Sequence, residues 1–257
     1  MEDQAGDKLV QELREQVGNL LAASQLLTPL VREQGGKKEM DYLAMMNQSL
    51  YRLLRTIAHL ELTQEKAPTF RPMTLDLAGL CLELGRRVEA LAGQAGVEFR
   101  CELGEETLLT AADGGLVELA LLNLISNAIE AAGPGGHVGL KLSRKGALAI
   151  LAVRDDGPGL SKREEAGEDP YLKEAGGLGL GLAAARRTAA LHGGALVLEN
   201  REEGGVRAVL SLPIRNQKED IVRSPRMGYD LTGGFSTALV ELSRVLPYTV
   251  FMPETLD

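Results

Sequence analysis

Leu121-Leu122-Asn123-Leu124-Ile125-Ser126-Asn127-Ala128 decides the fold, read together with two segments that follow it in order. The stretch predicts a helix. Asn123 and Asn127 lie four apart, so both amides leave one face of it. An amide oxygen there can ligate a hard cation such as Mg2+, which takes oxygen ligands and keeps waters and phosphate oxygens around it. Two helix amides bonded to each other or to water are the plainer alternative.

The second segment, Asp155-Asp156-Gly157-Pro158-Gly159, follows directly on an apolar run, Leu148 to Val153, that predicts a strand. A carboxylate at a strand end can accept from an exocyclic amine, and the glycines let the backbone turn beside a flat ring. An ordinary Asp-Gly turn is the competing reading. The third segment, Gly176-Gly177-Leu178-Gly179-Leu180-Gly181-Leu182, runs into a helix expected over Leu180 to Leu191. Open backbone amides and a helix N-terminus suit phosphates.

Each signal is weak alone, and the three in this order are specific. The chain resembles the GHKL superfamily of ATP-binding domains, shared by sensor histidine kinases and type II topoisomerases. The resemblance covers residues 72–214, ending at Ser211-Leu212-Pro213. It implies a two-layer α/β sandwich that takes ATP and Mg2+. Asn127 matches the Mg2+ ligand, Asp155 the adenine-binding aspartate, and Gly157, Gly159, Gly177, Gly179 and Gly181, with Leu178 and Leu180, the loops around the nucleotide. Asn123 stands where gyrase-like members have a glutamate that activates water. A carboxamide cannot take that proton, so the site is similar to a kinase's more than to a hydrolase's. Glu130 occupies a position where many kinases have a basic residue. The stretch between Gly159 and Gly177 is short and lacks the family's lid phenylalanines.

Ahead of this domain, apolar positions run Val10, Leu13, Val17, Leu20, Leu27, Val31 and, after Gly35-Gly36, Leu43, Met46, Leu50, Leu53, Ile57, Leu60. Both predict helices with a coiled-coil seam, folded back as an antiparallel hairpin over residues 1–66. One hairpin cannot bury both seams. A homodimeric four-helix bundle can, and docking of the hairpin on the second domain is the alternative. Ala67-Pro68-Thr69-Phe70-Arg71-Pro72 reads as the linker. The fold class is α+β, with residues 215–257 a separate tail that holds a helix candidate over Ser236 to Leu246.

The first helix resembles the histidine kinase dimerisation helix, whose motif is His-Glu-Leu-Arg-Thr-Pro-Leu. Here it reads Gln11-Glu12-Leu13-Arg14-Glu15-Gln16-Val17, with Gln11 at the phosphoacceptor position. A carboxamide nitrogen has its lone pair delocalised and is a very poor nucleophile. Glu12 and Gln16 match an acidic and amide pair that some kinases use to orient water, although plain solvated helix positions also take these residues. None of the three histidines, His59, His137 and His192, stands at the acceptor position.

With 257 residues and a net charge of −8, the chain is long enough for two cores and offers nucleic acid no general attraction. No apolar run suggests a membrane span of about 20 residues, the start lacks a leader pattern, and a cytoplasmic location is expected. Cys81 and Cys101 lack metal-ligand spacing and read as packing thiols. The sequence thus points to an ATP-binding, histidine-kinase-like signalling protein without conventional autophosphorylation, whose partners are a second copy and a response regulator or another kinase. A nucleotide-gated scaffold and a serine kinase of the anti-sigma-factor type are the alternatives.

Overall fold

The computed structural model describes residues 2–63, 70–160, 179–214, 232 and 234–252, with side chains of the first helix from Lys8 onward. Contacts divide the chain into two units, Met1–Ala67 with Leu231–Asp257, and Pro68–Asp230.

The first unit is a hairpin of α1 (Glu2–Gln34) and α2 (Lys37–Thr63). Gly35 N–H donates to the Val31 carbonyl at 2.8 Å, and a Cβ at Gly35 would stand 2.6 Å from that oxygen, so the turn requires glycine. The Glu39 carboxylate then accepts from Gly36 N–H at 2.7 Å and caps the first turn of α2.

The single seam expected along each helix is in fact two. Val10, Val17 and Ser24 form one column spaced by sevens on α1 and are buried; Leu13, Leu20 and Leu27 form another and are exposed. On α2 Leu43, Leu50 and Ile57 are buried, while Met46 and Leu53 are exposed. A three-four alternation counts neighbouring heptad columns as one stripe, and only the packing separates them. Ser24, which interrupts the apolar pattern, donates to Asn47 Oδ1 across the hairpin at 2.5 Å.

The second unit runs β1 (Met73–Asp76), α3 (Leu77–Gln94), β2 (Glu98–Leu103), β3 (Leu109–Ala112), α4 (Gly114–Ala132), β4 (His137–Lys145), β5 (Leu148–Asp155), α5 (Leu180–Leu191), β6 (Ala195–Asn200) and β7 (Val206–Pro213). Five strands form one sheet in the order β2-β4-β5-β7-β6; β2 and β4 are parallel and the other pairs antiparallel. β1 and β3 make a separate antiparallel pair. Alternation in β2 and β4 turns Phe99, Val138, Leu140 and Leu142 into the core. α3 packs on β2 and β4, α4 on β4 and β5, and α5 on β6 and β7.

Asp76 and Asp113 start α3 and α4 by accepting from Ala78 N–H at 3.1 Å and Leu116 N–H at 3.3 Å. α4 is apolar nearly all round because α3, α5 and the sheet surround it. At 19 residues it is long and apolar enough to span a membrane by composition, which corrects the expectation that no such run exists, and it is a buried core helix here. Cys81 is fully buried in α3, and burial pushes its thiol up to about 12.

Beyond the sandwich, α6 (Thr237–Leu242) is capped by Ser236, and a 3-10 helix follows over Tyr248–Phe251. Both pack on α2. The described part of the segment set apart in the sequence as a tail, residues 234–252, therefore belongs to the hairpin's unit.

Candidate functional site

β5 is the central strand of the sheet and ends at Asp155, which is 5% exposed. Its Oδ1 accepts from Gly157 N–H at 3.0 Å and from Val206 N–H, at the start of β7, at 3.1 Å. Oδ2 has no hydrogen-bond donor among the described residues. Burial pushes this carboxyl up from the usual aspartate value, against the two backbone donors and the Arg201 guanidinium, which pull it down. Arg201 Nη1 also donates to the Asp155 carbonyl oxygen.

A pocket opens at this strand end, between the sheet and the helices. Leu124, Ala128 and Ala131 of α4 line it on one side, Val153, Val206 and Ala208 of the sheet on the other. Asp155 and Asn127 are its polar members. Aliphatic walls with a few fixed polar atoms suit a flat heterocycle. Asn127 is half-buried, and its Nδ2 donates to Asn123 Oδ1 at 3.3 Å, which leaves its own oxygen as the acceptor for a ligand. Asn123 lies deeper, 1% exposed. It is a support beneath the pocket rather than part of its wall.

The loop glycines have steric reasons to be glycine. A Cβ at Gly157 would stand 2.6 Å from the Ala131 carbonyl oxygen, so this turn closes directly on α4. At Gly181 a Cβ would overlap the Asn123 amide nitrogen and lie 2.7 Å from its Oδ1. Gly159 and Gly179 have φ of +81° and +66°, values that favour glycine. Gly179 precedes Leu180 and caps α5 without a side-chain acceptor, so the first-turn amides of that helix remain available to an anion.

Asn123, Asn127, Asp155, Gly157, Gly159, Gly179, Leu180 and Gly181 are thus brought to one end of the sandwich. Gly177 and Leu178, with the short lid stretch, lie outside the described residues. Glu130 is exposed on α4. Gln11 and Glu12 belong to the other unit, where both are exposed and Gln11 Nε2 sits 3.4 Å from Glu15 Oε1. His192 is buried, with Nε2 accepting from Asp113 N–H and Nδ1 donating to the Thr188 carbonyl, a neutral and structural imidazole. His137 is exposed and pairs with Asp156 at 2.8 Å.

Sequence reasoning missed three neighbours of Asp155. Val206 and Arg201 come from the last hairpin of the sheet, far along the chain. Asn200 pins the loop after Asp155 by accepting from Leu160 N–H at 2.6 Å and donating to its carbonyl at 3.2 Å. Only the sheet order joins them to the site; no local motif marks them.

Residues 112–216 match the family of histidine kinase-, DNA gyrase B- and HSP90-like ATPases. The adaptive-response sensory kinase SasA of Synechococcus sp. (strain CC9902) is 31% identical over 155 residues, 56% of this chain and 40% of the relative. The chain spans less than half the length of the curated relatives it matches. Among solved structures, the catalytic domain of histidine kinase ThkA superposes with a TM-score of 0.51 at 27% identity, over 56% of this chain and 95% of that one. Full-length ShkA in complex with AMPPNP superposes at 0.69 and 22% identity, over 84% of this chain and 47% of that one, a likeness in fold that takes in the hairpin. Residues 112–216 therefore match the histidine kinase-, DNA gyrase B- and HSP90-like ATPase family, and a helical hairpin followed by an α/β domain is the fold the chain shares with full-length ShkA.

Proposed function

We propose that this chain binds Mg2+-ATP in the pocket at the end of β5, self-associates through its hairpin, and does not phosphorylate itself in the conventional way. Asp155 carries the nucleotide reading. One of its oxygens is tied into the fold and the other faces an aliphatic pocket, which is how a buried carboxylate would receive the exocyclic amine of adenine. The AMPPNP held by ShkA is consistent with this.

The residues present fit a metal ion that arrives with the nucleotide. No cluster of three or more His, Cys, Asp or Glu side chains that could hold a metal ion occurs among the described residues. One amide oxygen, that of Asn127, suits Mg2+ if phosphates and water complete its shell. Bound there, the ion would neutralise phosphate charge. The α5 N-terminus after Gly179 would hold the phosphates through backbone amides.

Phosphate transfer to a histidine needs an imidazole nitrogen to attack the γ-phosphorus as ADP leaves. Gln11 offers only a carboxamide at that position. Glu12 and Gln16 on the same exposed turn are consistent with action on a phosphorylated partner, a response regulator or another kinase. The exposed Leu13–Leu20–Leu27 and Met46–Leu53 columns favour a homodimeric bundle.

The test is paired. Titration calorimetry with Mg2+-ATP should give saturable heat, and incubation with γ-labelled ATP should leave no acid-labile phosphate on the chain. Stable phosphohistidine on the wild type would refute the acceptor reading, and absence of heat at millimolar nucleotide would refute the binding reading. A scaffold without catalysis would bind and transfer nothing to any partner, while a serine kinase would label a partner serine.

A further inference from the structure

The last hairpin of the sheet touches the loop after β5 at both ends. At the near end Val206 N–H donates to Asp155 Oδ1 at 3.1 Å, and Arg201 reaches the Asp155 carbonyl. A Cβ at Gly205 would overlap that same carbonyl, so the hairpin turn bears directly on the strand end. At the far end Asn200, the last residue of β6, turns its amide on Leu160. Its Oδ1 accepts from Leu160 N–H at 2.6 Å and its Nδ2 donates to the Leu160 carbonyl at 3.2 Å. One side chain thus meets both main-chain groups of one residue, as a residue of a neighbouring strand would. Gly159 is part of this fit: its φ is +81°, and a Cβ there would stand 2.8 Å from Asn200 Oδ1. Leu160 in turn lines the pocket at the end of β5, together with Leu182, Leu198 and Asp155.

We propose that Asn200 is a positioning residue of the nucleotide pocket: by holding Leu160 through both main-chain groups, it sets one aliphatic wall of the base site before any ligand arrives. This role rests on the nucleotide reading given above. The stretch Gly157-Pro158-Gly159 between the two anchors is what makes a clamp necessary. Two glycines give the backbone wide freedom, and proline offers no N–H to tie down. Ordering such a stretch costs conformational entropy, and a clamp made on folding removes that cost from the binding step. The hairpin that supplies the clamp is itself closed, with Arg201 N–H donating to the Gly205 carbonyl at 3.0 Å and Gly204 N–H to the Arg201 carbonyl at 3.2 Å. Asn200 is exposed and stands outside the apolar core, so its loss falls on the loop rather than on overall stability.

The test is a double-mutant cycle on the full chain, with Asn200→Ala, Leu160→Ala and the two combined. Each protein is read by titration calorimetry with Mg2+-ATP and with ADP, by thermal melting, and by amide exchange without nucleotide. Asn200→Ala should weaken both nucleotides by the same factor, about three- to tenfold, because the wall borders the base that they share. Its melting temperature should change little. Leu160→Ala should also weaken binding, and the double variant should bind no worse than Leu160→Ala alone, since a wall that is gone cannot be misplaced. Without nucleotide, exchange at the Leu160 amide should rise in Asn200→Ala, while the Gly157 and Val206 amides, which donate to Asp155, keep their protection. Losses that multiply in the double variant would overturn the role while leaving the nucleotide reading in place, as would an unchanged Leu160 amide. A lower melting temperature of Asn200→Ala with unchanged affinity would show a merely structural clamp and overturn it too. A wild type that binds neither nucleotide would overturn the nucleotide reading itself, and this role with it.

Discussion

Asp155 ties Oδ1 into the fold and is itself one of the residues lining the pocket, and that double role makes a discriminating substitution available. Removing the side chain would unmake the Gly157 and Val206 bonds together with any ligand contact, so a loss of binding by Asp155→Ala would be ambiguous. Asp155→Asn keeps an acceptor for both backbone donors and puts an NH2 group where the adenine amine would donate. It should lower nucleotide affinity by roughly ten- to a hundredfold, the value of one charge-assisted hydrogen bond of about 1.5–3 kcal/mol, with little change in melting temperature. The same residue sets a pH dependence. Its carboxyl lies above the usual aspartate value, so the acceptor is lost as pH falls through that raised value, and affinity should decline at a higher pH than an ordinary aspartate would give. The effect on stability has the opposite sign: the ionised carboxylate is disfavoured by burial, and protonation at low pH relieves that cost. Gly181→Ala should act on Asn123, and through it on Asn127. With no room for a Cβ, the expected loss is about 1–3 kcal/mol of stability, read as a lower melting temperature, with a weaker Mg2+ dependence of binding.

Among the elements, those with strong local periodicity were legible in the sequence. α5 and β5 come out within two residues of their observed bounds, and the stretch with Asn123 and Asn127 is helical as expected, inside the longer α4. β1 was not seen, because four residues after a proline-rich linker carry no alternation and gain their identity only by pairing with β3. The hairpin was legible as helices but not in its facing. Buried and exposed heptad columns are both mainly apolar, and Leu50 and Leu53 differ only in what covers them. This contrast is itself a test. Leu53→Asp lies on the exposed column and should give a folded monomer in light scattering, with helicity retained. Leu50→Asp puts an unpaired charge into the hairpin interior and should unfold it, at a cost of several kcal/mol. A dimeric Leu53→Asp protein would show that this column is not the interface. The buried pairing of His59 with Glu241 was illegible for a similar reason: the two residues stand far apart in the chain, and only the return of the C-terminal segment to α2 joins them.

At the scale of the whole molecule, the proposed reading places Gln11 at the acceptor position of the hairpin that precedes the ATPase-family domain, and on that reading binding and transfer become separable properties. Gln11→His restores a nucleophile on an exposed turn without touching the buried Val10 and Val17. Acid-labile phosphate on that variant alone would identify a kinase silenced at its acceptor. No label on either protein would favour a nucleotide-dependent scaffold. Everything else in the account rests on the pocket, and the most direct measurement is titration calorimetry of the full chain with Mg2+-ATP, run beside its Asp155→Asn variant. The account predicts saturable binding to the wild type and at least about tenfold weaker binding to the variant at equal thermal stability. Indistinguishable isotherms, or no heat from the wild type at millimolar nucleotide, would contradict it.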